Sequence, residues 1–138
     1  MGRSGRQVLS GFLLDTHALI WWLNADPQLP QRARSIIADS DNTVLSSAVS
    51  AFEIANKHRI GKLPQVEALL DGYERSLQGQ GFGELAIRNE HALLAGALTI
   101  AHRDPFDRML IAQALIEGLT VITNERLFEL CGVARLWD

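Results

Sequence analysis

Four acidic residues stand where chemistry is expected of them: Asp15, Glu53, Asp107 and Glu125. Asp15 closes the apolar run Phe12-Leu13-Leu14 and precedes Thr16, so it reads as a carboxylate at a strand end or as the cap of the next helix. Glu53 has Val49, Asn56 and Ile60 as its helical neighbours, a row that is mostly not solvent-like. A carboxylate there needs a partner, because burying one alone costs several kcal/mol or shifts its pKa. Asp107 shares its row with Leu110, Ile111 and Ala114, the core-facing stripe of its helix. Asp104-Pro105 just before it is a helix start in its own right, so Asp104 is expected to be a cap. Glu125 follows Thr123-Asn124, where a first-turn acid also suits the helix dipole.

If these acids share one site, they repel. Two carboxylates ~5 Å apart cost roughly 3 kcal/mol at an effective dielectric near 20, so the cluster requires protons or cations between its members. Hard divalent cations with oxygen ligands, Mg²⁺ or Mn²⁺, are the expected occupants. Such an ion, open on one side, activates water and stabilises the leaving oxygen of a phosphodiester. His17, His58, His91 and His102 lack paired metal-ligand spacing, and only His102, beside Arg103 and the Asp104 turn, is placed to touch a substrate. Cys131 is the single cysteine, which excludes an internal disulfide and a thiolate metal site and fits a reducing cytoplasm. Serine-nucleophile motifs are absent, and GQGFG lacks the strand-to-helix context of a nucleotide loop.

The elements that must position these residues alternate between short β-like runs and helical ones, the sign of an α/β fold. Strands are expected at Gly11 to Asp15, Thr43 to Ser46, Glu84 to Ile87, Leu119 to Thr123 and Val133 to Trp137. Helices are expected at Thr16 to Leu23, Pro30 to Ala38, Ser47 to Arg59, Gln65 to Leu77, Glu90 to Ile100, Pro105 to Glu117 and Glu125 to Leu130. Strands separated by helices pair in parallel with right-handed crossovers, which gathers their C-terminal ends on one edge, where ligands bind in open α/β sheets.

At 138 residues the chain reads as one domain, residues 11–138, after a flexible leader at 1–10. Its 47% apolar and 21% charged content is ordinary for a globular protein, and its longest apolar run, Ala18 to Leu23, is far too short to span a membrane. A net charge of −3 argues against a nucleic-acid partner until the four acids are assigned to a cation site, after which the remainder is no longer acidic. Most of the 13 cations are Arg, suited to forked phosphate contacts.

In order, LLDTHALIWW, SAVSAFEIA, HRDPFDRMLIAQA and VITNERLF closely resemble the motifs of the PIN-domain family, most of all its VapC-type toxins, from about Phe12 to the C-terminus. The resemblance implies a three-layer fold with a central parallel sheet flanked by helices. It implies three main acids at Asp15, Glu53 and Asp107, with Glu125 standing where the family usually has Asp. Thr16, Ser47, Thr123 and Asn124 would then hydrogen-bond the ligands, and Arg108 and His102 would contact substrate. It further implies an Mg²⁺- or Mn²⁺-dependent endoribonuclease leaving a 5′-phosphate, and a homodimer silenced by a cognate antitoxin. The competing expectation is a PIN-like binding module, weak in catalysis, that acts through a protein partner. A receiver-type phosphoacceptor ranks below both, because it needs a lysine after a late strand and the chain has only Lys57 and Lys62.

Overall fold

A computed structural model describes residues 11–63 and 66–138; the expected leader at 1–10 lies outside the described residues. Five strands, β1 (Gly11–Leu14), β2 (Thr43–Ser47), β3 (Gly83–Leu85), β4 (Thr120–Ile122) and β5 (Arg135–Leu136), form one sheet in the order β3-β2-β1-β4-β5. All four pairings are parallel, with Leu14 opposite Ser46 on one side and Ile122 on the other. The helices are α1 (Thr16–Leu23), α2 (Gln31–Ala38), α3 (Ala48–Arg59), α4 (Glu67–Leu70), α5 (Tyr73–Gly79), α6 (Asn89–Ala97), α7 (Pro105–Glu117) and α8 (Leu127–Leu130).

Both faces of the sheet are covered, which is why its strands read as continuous apolar runs rather than alternating ones. Leu14, Val44 and Ile122 face one core with Ala18 and Leu19 of α1, Ala33 and Ile37 of α2, and Phe82. Leu13 and Val121 face the other, with Leu110, Ile111 and Ala114 of α7 and Phe128 of α8. The α/β expectation of a central parallel sheet between helices is therefore met.

Of the single helix expected over Gln65 to Leu77, Gln65 lies outside the described residues and the rest is two helices instead. Gly72 sits between α4 and α5 at φ +75°, a left-handed conformation that ends one helix and begins the next. Leu69, Leu70, Tyr73 and Leu77 nonetheless pack on the same core, so the apolar spacing was right and the continuity was not. The expected helix to Ile100 ends at Ala97, and the last strand shrinks to two residues. Gly118, at φ +69°, stops α7 where its sequence position predicts.

Candidate metal centre

The sheet order reverses direction between β1 and β4, and the strands' C-terminal ends at such a switch point are where open α/β sheets bind ligands. Asp15 stands there. Its N–H donates to Ile122 O at 3.2 Å, tying it to the end of β4, and its Oδ1 accepts from Ala18 N at 2.8 Å, capping α1. The capping and site readings coexist, because a carboxylate offers about four acceptor positions and the cap uses one. The residue is 7% exposed and makes no ion pair among the described residues. Burial pushes its pKa up to about 6, against the pull of the Thr123 hydroxyl and the Ala18 N–H.

Glu53, 4% exposed on α3, turns the same way. Its Oε1 accepts from Thr16 Oγ1 at 2.5 Å, and Thr16 also meets Ser50 Oγ at 3.0 Å. Its Oε2 holds Lys57 Nζ at 2.5 Å, one turn along the helix. Burial works against the Lys57 charge, but Glu53, Asp104 and Asp107 together hold its pKa above the ordinary value.

Asp107, in the first turn of α7, is half-buried, and its Oδ2 lies 2.9 Å from His102 Nε2. Burial raises its pKa; His102 lowers it, and the neighbouring charges of Asp104 and Glu53 raise it further. Asp104 caps α7 as expected, accepting from Phe106 N at 2.9 Å and Asp107 N at 3.4 Å. Its carboxylate also falls within 4.8 Å of ligand atoms on His102 and Asp107.

Three of the four expected acids thus converge on one edge, but more loosely than a single coordination shell. Asp107 has ligand atoms within 4.8 Å of His102 and Asp104, but Asp15 and Glu53 join no group that tight among the described residues. Glu125 is at the right edge, but its side chain is exposed, and it is held by its backbone, its N–H donating to Thr123 Oγ1 at 3.0 Å and its carbonyl accepting from Phe128 N at 3.4 Å. Asn124 is likewise exposed, whereas Thr123 is fully buried between Asp15 and Glu125.

Two expected helpers do other work. Ser47 caps α3, accepting from Val49 N at 3.0 Å and donating to Gln113 Oε1 at 2.6 Å, away from the acids. Ser50, one turn later, takes the place expected of it. Arg108 has its five N–H donors directed at the carbonyls of Ala95, Gly96, Leu98, Ile100 and His102, so it knits the α6–α7 connection rather than facing a substrate. Ser50 and Lys57 were missed; the Glu53-Lys57 spacing of four was the signal available for the lysine.

The donor set fits a hard divalent cation. All its atoms are carboxylate or hydroxyl oxygens, except for His102, and Asp15 is a buried carboxylate that makes no ion pair among the described residues. Mg²⁺ keeps several waters and uses one or two carboxylates, which suits a cluster wider than one shell.

Residues 12–132 match the PIN domain family. The chain belongs to the PIN domain family. Among solved structures this PIN domain is similar to VapBC2 from Rickettsia felis bound to a DNA fragment from their promoter, at 16% identity, TM-score 0.64, 93% of this chain and 99% of that chain. It is similar to FitAcB from Neisseria gonorrhoeae, at 23% identity, TM-score 0.62, 91% of this chain and 96% of that one. DNA-bound VapBC from Salmonella typhimurium is similar at 19% identity, TM-score 0.63, with 91% and 96% covered. At these identities the likeness establishes the fold. No curated protein sequence matches the chain.

Proposed function

We propose that this PIN domain is a metal-dependent endoribonuclease and the toxin of a toxin-antitoxin pair, acting on single-stranded RNA as a homodimer held in check by an antitoxin. The observation that carries the nuclease reading is the buried, unpaired Asp15 at the sheet's switch point, its pKa raised to about 6, with Glu53 and Asp107 turned toward the same edge. The antitoxin reading rests on the likeness to the VapBC and FitAcB structures.

Asp15, Asp107 and Glu53 would hold Mg²⁺ or Mn²⁺, with Glu125 and Asp104 at the rim. When bound, the ion supplies Lewis-acid stabilisation of phosphorane charge and a water of lowered pKa. The protein's own groups do the rest. Thr16, braced by Ser50, fixes Glu53; His102 fixes Asp107; and Lys57 places an ammonium where phosphate charge gathers. In the hydrolysis, a water oxygen bonds to phosphorus, the bond from phosphorus to the 3′ oxygen breaks, and the proton ends on that leaving oxygen.

The test is incubation of purified protein with single-stranded RNA in Mg²⁺ or Mn²⁺, with a chelator control. Cleavage is expected with either ion, stopped by chelation and reduced at least a hundredfold in Asp15→Asn and Asp107→Asn. Cleavage retained in those variants sinks the mechanism by pointing to a contaminant. No cleavage by the parent protein, with a partner still bound, returns the binding-module reading.

A further inference from the structure

Phe52 is 64% exposed, an expensive place for a ring whose burial is worth about 1.5–3 kcal/mol. It immediately precedes Glu53 on α3, just as Phe106 immediately precedes Asp107 on α7. The two rings meet edge to face, with centroids 5.5 Å apart and planes at 69°. Lys57 Nζ, held by Glu53, lies 5.9 Å from the Phe106 ring centroid. An aromatic pair therefore borders the acids, with one ammonium between rings and carboxylates. An edge-to-face pair leaves faces of the outer ring free for another planar group.

Resting on the nuclease reading above, we propose that Phe52, braced by Phe106, is a stacking platform for an unpaired nucleobase beside the phosphodiester at the acids, with Lys57 taking the adjoining phosphate. Single-strand binding sites combine a ring to stack a base with a cation to follow the backbone, and both occur here within a turn and a half of α3. A protein partner is the poorer fit. The centre of a protein interface is depleted of charge, whereas covering Phe52 and Phe106 with protein would also enclose the part-exposed Lys57 ammonium and the Asp104 carboxylate.

The platform is tested without turnover, in chelator, by fluorescence anisotropy of the full chain with a labelled single-stranded RNA and with the same ribose-phosphate strand lacking bases. F52A is expected to bind the normal strand about tenfold more weakly, within the range one stacked base contributes. F52W should stay within twofold of the parent, and the baseless strand should bind parent and F52A alike. The proposal is overturned if F52A binds the normal strand like the parent, if it loses both strands equally, or if no strand binds at all. Conversion of a parent dimer to a monomer by F52A in light scattering also overturns it, in favour of a subunit interface. Circular dichroism melts of both variants separate lost folding from lost stacking. Base-dependent binding in a protein that never cuts keeps the platform and removes the nuclease; cutting with an unchanged KM in F52A does the reverse.

Discussion

Asp15 answers to two masters, the helix it caps and the cluster of acids it borders, and pH tells them apart. A carboxylic acid whose folded pKa is about 6, above its ordinary 3.8, binds its proton more tightly in the folded chain. Its contribution to stability is complete below pH 3.8 and is lost as pH rises through 6, leaving the ionised group at a cost of about 3 kcal/mol in metal-free protein. In chelator at pH 7.5, Asp15→Asn should therefore melt several degrees above the parent, since Asn caps a helix as well as Asp does. At pH 4 that gap should nearly close. Equal melting temperatures at both pH values would mean that the folded chain already neutralises this carboxylate. Asp15 was legible because an apolar run ends on it. Ser50 was not, because it lies a turn inside the helix expected from Ser47, where no spacing marks it as the residue that reaches Thr16. Arg108 was misread for a related reason: its carbonyl partners lie up to 13 residues back, in a stretch whose end carries no periodicity.

Elements were legible where one face had to be buried, and less so where the chain merely turned. Val66, Leu69, Leu70, Tyr73 and Leu77 kept helical spacing across a break, since α4 and α5 lean on one core; periodicity reports the face, not the continuity. The break itself was written as Asp71-Gly72, a turn pair inside an apolar pattern. Gly72→Ala should lower stability by about 1 kcal/mol, because φ +75° is unfavourable once a Cβ is present, and denaturant midpoints will read it. Elsewhere the polar interior is structural. His91, fully buried, accepts Arg88 N–H at Nδ1 and therefore donates from Nε2 to Glu117 at 2.9 Å. Arg88 also pairs with Glu117 at 2.9 Å and with Glu90, so the Glu90-His91-Glu117 group already has its cation.

At the scale of the molecule, the alternation of strands and helices foretold a parallel sheet, and parallel pairing placed the ends of β1 and β4 side by side. What no spacing could give was the width of the acid cluster or the exposure of Glu125, because both depend on side-chain rotamers settled by packing. No helix of the described residues is long and apolar enough to cross a membrane. If the toxin reading holds, expression of this chain alone should arrest growth within a few generations, and Asp15→Asn should not; coexpression with the neighbouring reading frame should relieve the arrest. Unimpeded growth on expression of soluble parent protein would remove the toxin setting while leaving the nuclease test standing.

The sheet begins on a strand of three residues and ends on one of two. Its free backbone is therefore too short at either margin to template another chain. Cross-β stacking of native molecules has almost nothing to grow from, and a binding segment that works by adding a strand would find few amides to pair with.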